Sequence, residues 1–175
     1  MTAWTPKART FTFVAIGFLV ADRITKQWAE SALVPHLPRR VLGDFFRFTL
    51  TWNQSSAMGL FSFGPWSRWI FAFIAVAMLG VLVALLREAP AGVRWRAAAL
   101  GAVAGGAIGN LVDRIISARG VTDFIDVGTT GWRFWTFNVA DAGVTCGAIL
   151  LAILLWWEER EQKRQPGIPP PRHTE

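Results

Sequence analysis

Four long apolar runs divide this chain, and its charged residues gather between the runs more than inside them. A helix needs roughly 20 residues to cross the hydrocarbon core of a bilayer. Measured against that length, the runs extend from about Phe11 to Glu30, Trp69 to Leu86, Ala97 to Val112 and Val139 to Trp157. The third is the shortest. The pattern predicts an all-α membrane protein with four transmembrane helices in one domain, residues 1–157. Residues 158–175, charged and then proline-rich, form a disordered tail.

Two connecting segments break the helical pattern. Asp44 to Trp52 reads DFFRFTLTW, and a second stretch, VTDFIDVGTTGWRFWTF, carries Gly128-Thr129-Thr130-Gly131 between two similar runs. Aromatic and β-branched residues around such a turn predict short strands and a small sheet or loop region at the membrane surface. In the third span, Gly101, Gly105 and Gly109 are four apart and fall on nearly one helix face. Small residues at that spacing let membrane helices approach closely, so a second helix of the same chain is expected there.

Composition agrees with a lipid solvent. The chain is 53% hydrophobic and 17% charged, with a mean hydropathy of +0.35, too apolar for an ordinary soluble domain. Aromatics crowd the ends of the runs, as at Trp66/Trp69 and Trp156/Trp157, where they serve as interfacial anchors. The net charge of +6 comes from short basic clusters and not from a continuous stripe. That excludes a nucleic-acid partner and makes anionic lipid headgroups the counter-charge. Nine basic residues fall on each side of a four-span topology, so charge alone does not orient it. Lys7 and Arg9 precede the first run as in a signal peptide, but DRITK follows it without a small-residue cleavage site, and the segment is read as retained. Cys146, the single cysteine, is read as a buried, inert thiol.

An ionisable group at membrane depth needs a partner or a task. Asp22 and Lys26 are four apart near the end of the first span; they can neutralise one another or hold a site together. Asp113 follows Asn110 by three and precedes Arg114, which predicts an ion pair and a scaffold role at the end of the third helix. Asp123 and Asp141 have no adjacent cation. Two close carboxyls sharing one proton supply an acid and a base together, the requirement for activating water against an amide. Asp141 has a competing role: with Asn138 as N-cap it falls at the third helical position and complements the helix dipole. Asp123 and Asp126 have opposite parity in a regular strand, and spacing does not choose between them.

Four ordered motifs, DRITK, TWNQSSAMGLFS, GGAIGNLVDRIISARGVTDFIDV and FNVADAG, resemble those of lipoprotein signal peptidases, the type II signal peptidases of bacteria. The resemblance covers about residues 11 to 157. It implies an aspartic endopeptidase of the bacterial inner (cytoplasmic) membrane, with both termini cytoplasmic and the sheet and site on the exoplasmic face. The implied reaction is cleavage before the diacylglyceryl-modified cysteine of a prolipoprotein. The catalytic aspartates then fall on Asp123 and Asp141, leaving Asp126 structural or solvated. Asn53, Asn110, Asp113, Arg114, Asn138, Asp22 and Lys26 match positions that bind substrate or support the site. No cofactor or metal is implied, and His36 and His173 lack ligand spacing. The expected partners are the prolipoprotein and membrane lipids, with the chain acting as a monomer. Ser55, Met58 and Ala142 depart from the family pattern, which bears on substrate fit more than on the reaction.

Two other classes fit less well. A proton-coupled transporter would carry charges near mid-span, internal repeats or broken helices, whereas here the charges gather at helix ends. An assembly factor without chemistry gives no reason for two unpaired aspartates.

Overall fold

The computed structural model describes residues 5–54, 66–89 and 93–164. These residues form four helices, α1 (Pro6–Ala32), α2 (Ser67–Glu88), α3 (Arg94–Ile116) and α4 (Val139–Arg164), and a three-stranded sheet of β1 (Arg39–Leu42), β2 (Phe46–Asn53) and β3 (Val121–Val127). α2, α3 and α4 are long and apolar enough to cross a membrane, with mean hydropathies of 2.8, 1.3 and 2.0 over their most apolar windows. α1 has 27 residues, about 40 Å at 1.5 Å per residue, and carries Asp22, Arg23 and Lys26 in its second half.

Every helix reaches beyond the apolar run that predicts it. Thr5 caps α1 by accepting the Ala8 amide, with Pro6 at the first helical position, where its missing N–H costs nothing. α3 extends to Ile116, so Asn110 and Asp113 lie inside the helix and short of its end. α4 continues through the charged segment to Arg164, where Glu158 pairs with Arg96 and Glu159 with Lys163 one turn on. Alternating Glu, Arg and Lys are good helix formers and make such i,i+4 pairs. Residues 165–175, the rest of the predicted tail, lie outside the described residues.

α3 is the centre of the bundle. Its glycine face packs on α1, as the spacing predicts: a Cβ at Gly101 would lie 2.5 Å from the Phe11 carbonyl oxygen, and one at Gly105 would overlap that of Ala15. The adjoining side packs on α4, where Gly106 meets the Ala140 carbonyl and Gly147 meets Ala99. α2 closes the third side through Leu82, which joins Leu100, Val103 and Ala104 in one apolar cluster. The outward faces stay apolar, as lipid contact requires, with Phe73, Val76 and Val81 exposed on α2.

The same geometry corrects the reading of Cys146, which is exposed. Gly143 and Gly147 form the stripe of α4 that faces α3, and Cys146 falls off it. In a membrane helix an apolar setting does not mean protein contact.

The sheet is antiparallel in the order β1-β2-β3, with irregularities between Arg40 and Leu42 and between Phe48 and Thr51. Leu50 and Phe124 bury one face against Ala29 of α1 and Leu33 just past its end, and Trp28 meets Phe48 edge-on at 4.9 Å. Sequence reasoning missed β1, a four-residue strand exposed throughout. It also predicted a strand after Gly131; that run is a loop tied to β3 by single bridges, Ile125 to Phe137 and Gly128 to Arg133. Gly120, at φ +100°, turns the chain from α3 into β3 so closely that a Cβ would overlap the Asn53 carbonyl; no other residue suits that backbone.

Candidate active site

The start of α4, the middle strand pair and the later turns of α1 and α3 converge on a cluster of buried polar groups. Lys26, 1% exposed, is the hub. Its ammonium lies 2.8 Å from Asp22 Oδ2 and 2.7 Å from Asp113 Oδ2, and it donates to Asn110 Oδ1 at 3.0 Å. Two carboxylates and an amide compensate its burial; losing one partner of such a pair costs about 3–5 kcal/mol. Asp22 and Lys26 therefore neutralise one another, and Lys26 also ties α1 to α3.

Asp113 pairs with cations other than the adjacent one that its position suggested. Its Oδ1 takes Arg23 Nη1 at 2.5 Å, and its Oδ2 accepts the Thr122 amide at 3.3 Å as well as Lys26. Asp113 and Arg114 are consecutive on α3 and so point about 100° apart, which puts Asp113 against α1. Arg114 instead donates to the Asn110 carbonyl at 3.2 Å and lies over the Phe71 ring at 5.7 Å.

The first turn of α4 is capped from three directions. Asp22 Oδ1 accepts the Ala140 amide at 3.0 Å, reaching it past Gly109, where a Cβ would stand 2.6 Å from Asp22 Oδ2. Asn138 Oδ1 accepts the Asp141 amide at 2.9 Å, and Asp141 Oδ2 accepts the Asn138 amide at 3.1 Å. This is a reciprocal capping box with an aspartate at its third position. The capping role foreseen for Asp141 is real, and it uses only one carboxylate oxygen. The other, Oδ1, accepts Asn110 Nδ2 at 2.8 Å.

Asn138 has no exposed surface and links the aspartates. Its Nδ2 lies 2.7 Å from Asp123 Oδ1, 3.1 Å from Asn110 Oδ1 and 3.2 Å from the Thr122 carbonyl. Asp123, 3% exposed on β3, also accepts from Asn53. Burial, and after it the neighbouring Asp141 carboxylate, push the Asp123 carboxyl up to about 7, against the hydrogen bonds of Asn138 and Asn53 and the charge of Lys26. Asp123 and Asp141 open onto one pocket of about 220 Å³, bordered by Asn53, Asn110 and Arg114. Its other wall is apolar, built from Phe134, Trp135, Phe137 and Val144. Arg114 thus supplies the nearby cation that neither aspartate has beside it in sequence.

Asp126 takes no part in the pocket lining. It is 4% exposed and structural: its Oδ2 accepts Arg47 Nε, Arg47 Nη2 and Thr49 Oγ1 at 2.9, 2.8 and 2.7 Å, and its Oδ1 accepts Arg133 Nε at 2.6 Å. Burial pushes its carboxyl up, but the hydrogen bonds from Thr49, Arg133 and Arg47 outweigh that and hold it below the usual carboxylate range. Sequence reasoning missed the aromatic wall at 134–137 and the Asp113 partner Arg23. The alternating run WRFWTF just before Asn138 was the available signal for the wall. Ser55 and Met58 lie outside the described residues; Ala142 is half-buried, one residue past Asp141.

Long apolar helices around a buried pocket of carboxyls and amides define an integral membrane enzyme. Two solved bacterial membrane enzymes, both determined by the in meso method, share the fold. One superposes with a TM-score of 0.81 at 24% identity over 97% of this chain and 100% of its own. The other gives 0.75 at 28% identity over 89% and 97%. The family model described as signal peptidase (SPase) II matches residues 14–157. The lipoprotein signal peptidase of Hydrogenovibrio crunogenus is 38% identical over 94% of this chain and 95% of its own. That of Pseudomonas syringae pv. tomato is 39% identical over 81% and 82%. The chain belongs to the signal peptidase II family, a family of proteases.

Proposed function

We propose that this protein removes the signal peptide from diacylglyceryl-modified prolipoproteins, cleaving before the lipidated cysteine with Asp123 and Asp141 as a catalytic dyad. Family membership supports the peptidase reaction. For the residues, the observation that carries the reading is the shared pocket, in which Asp123 has a carboxyl pushed up to about 7 beside the Asp141 carboxylate. Below neutrality Asp123 then carries a proton that it can give up in the reaction.

Asp141 is the base. Its two oxygens are oriented by Asn110 Nδ2 and the Asn138 amide, and it takes a proton from water as the water oxygen attacks the scissile carbonyl carbon. Asp123 gives its proton to the carbonyl oxygen. The tetrahedral diol then returns that proton to Asp123 as the C–N bond breaks, and the proton on Asp141 passes to the departing amine. Arg114 and Asn53 border the reacting groups; Asp22, Lys26, Asp113, Asn110 and Asn138 fix the carboxyls. The chemistry is complete without a metal or cofactor. The aromatic wall receives the apolar part of the substrate, whose lipid chains stay in the bilayer, so that remote binding contributes to orientation at the peptide bond.

In this reading α1 is the fourth span. The termini are cytoplasmic and the sheet exoplasmic, in the inner membrane. The chain acts as a monomer in contact with membrane lipids, with residues 1–157 as one domain whose last helix runs on through the charged segment to Arg164. The test is cleavage of a diacylglyceryl-modified prolipoprotein by the purified protein, with Asp141→Asn as control. Cleavage by the wild type and none by the folded variant is expected; an active Asp141→Asn overturns the dyad.

A further inference from the structure

The end of the bundle where α1 and α3 begin carries a second cluster of cations. Lys7 and Arg96 are satisfied by the protein there. Lys7 Nζ donates to the Arg87 and Ala89 carbonyls at 2.9 and 2.6 Å, closing the end of α2, and Arg96 pairs with Glu158 at 3.2 Å. Arg9 and Arg94 differ. They line one cavity of about 410 Å³ together with Pro6, Thr10 and Phe13, and no carboxylate is among its described lining residues. Neither guanidinium has a hydrogen bond or ion pair among the described residues. Phe13, one helical turn beyond Arg9, is 81% exposed, and Trp95, next to Arg94, is 70% exposed. Arg9 and Asp22 are thirteen residues apart on α1, about 20 Å along the axis, so the cavity is separate from the acidic pocket.

We propose that this cavity binds one anionic phospholipid, with Arg9 and Arg94 holding its phosphodiester and an acyl chain running along Phe13. Guanidinium groups donate paired, charge-assisted hydrogen bonds that match phosphate oxygens. Apolar surface directly below two such cations suits an amphiphile and not a free anion. The lack of a carboxylate among the described lining residues decides between headgroups: a zwitterionic lipid would bring an ammonium to two cations, with no described side chain there to receive it. A headgroup of net negative charge meets only complementary groups. Basic residues at a membrane surface each strengthen attraction to anionic lipid, and two of them amount to roughly a tenfold preference or more.

The experiment uses the full-length protein, stripped of lipid in detergent, and native mass spectrometry with phosphatidylglycerol, phosphatidylcholine or inorganic phosphate at equal concentration. One phosphatidylglycerol retained about tenfold over phosphatidylcholine is expected. Arg9→Gln with Arg94→Gln removes the preference, whereas Arg160→Gln with Arg164→Gln, an equal loss of charge at the end of α4, keeps it. Arg9→Lys with Arg94→Lys retains part of it, and circular dichroism checks that each variant is folded. The single variant Arg94→Gln loses part of the preference and provides the same test if the double variant does not fold. Equal binding of the two lipids overturns the proposal, as does a preference that survives the glutamine variants. Displacement of lipid by inorganic phosphate at equal concentration assigns a free-anion site and overturns it too.

Discussion

Asn110 and Asp141 face each other across the α3–α4 contact, with Asn110 Nδ2 donating to Asp141 Oδ1 at 2.8 Å. The orientation of that amide is forced. Its Oδ1 already accepts Lys26 Nζ and Asn138 Nδ2, so only the NH2 end is left for the carboxylate. An amide held by a buried cation thus aims a carboxylate of the proposed dyad. Asn110→Ala removes the donor and leaves Asp141 held only by its capping bond. We expect kcat to fall about 100-fold, the scale of a small misplacement of a reacting group, with the protein still folded. Single-turnover cleavage separates that loss from weaker substrate binding.

The proton on Asp123 gives the reaction a pH dependence of defined sign. With its carboxyl at about 7, Asp123 is protonated below neutrality and loses its proton as the pH rises, leaving two carboxylates and no acid. Activity is expected to decline above about pH 7, tenfold for each further unit. Asn53 donates to the charged form of Asp123 and so lowers its pKa; Asn53→Ala should move the alkaline limb to higher pH. A limb that stays in place, or moves down, contradicts the role given to Asn53. Asp123→Asn, which cannot supply the proton, should lose about 100-fold or more in kcat at every pH.

Close packing sets the position of Asp141 as much as polar contacts do. A Cβ on Gly106 would overlap the Ala140 carbonyl oxygen and press on Val144 Cγ2, at the turn of α4 that carries Asp141. Gly106→Ala is expected to lower stability by about 1–3 kcal/mol, as overpacking does, and to reduce cleavage in the protein that remains folded. Gly80→Ala is the contrasting substitution. Nothing lies within 4 Å of a Cβ there, and alanine favours a helix by about 1 kcal/mol. Thermal unfolding in detergent should move in opposite directions for the two variants.

The helices and the glycine contact face were legible in the sequence because apolar length and four-residue spacing are local signals. The capping box of Asn138 and Asp141 was legible for the same reason, being set by a three-residue offset. What escaped depends on distant partners. Arg23 meets Asp113 across ninety residues, and nothing near either residue announces that pair. β1 is exposed along its whole length, so no alternation marks it; its partner strand defines it. Asp123 and Asp126 differ by parity alone in a strand, and their neighbours Asn138 and Arg47 come from other elements. Motif resemblance favoured Asp123 where spacing could not, and the geometry gives the two residues separate environments.

Asp126 has a task beyond the acidic pocket. Its carboxylate gathers Arg47 and Thr49 from β2 and Arg133 from the loop before α4, and Arg133 Nη1 also donates to the Asp44 carbonyl at 2.8 Å. The next residues after Arg133, Phe134 and Trp135, form the apolar wall of the pocket, so this knot fixes the wall from behind. Asp126→Asn leaves cations facing an uncharged amide and should cost about 2–4 kcal/mol of stability. Since Asp126 does not touch the reacting groups, kcat should stay within a few-fold of wild type while KM rises as the wall loosens. The pH dependence follows from the direction of its pKa. A carboxylate held below its unfolded value of about 3.9 adds stability that is fully present above that value and fades as the pH falls through the lower folded one. Wild-type stability should therefore drop below about pH 4, and Asp126→Asn should be less sensitive to acid over that range. An unchanged KM, or equal acid sensitivity in both proteins, would remove the knot from the account of substrate binding.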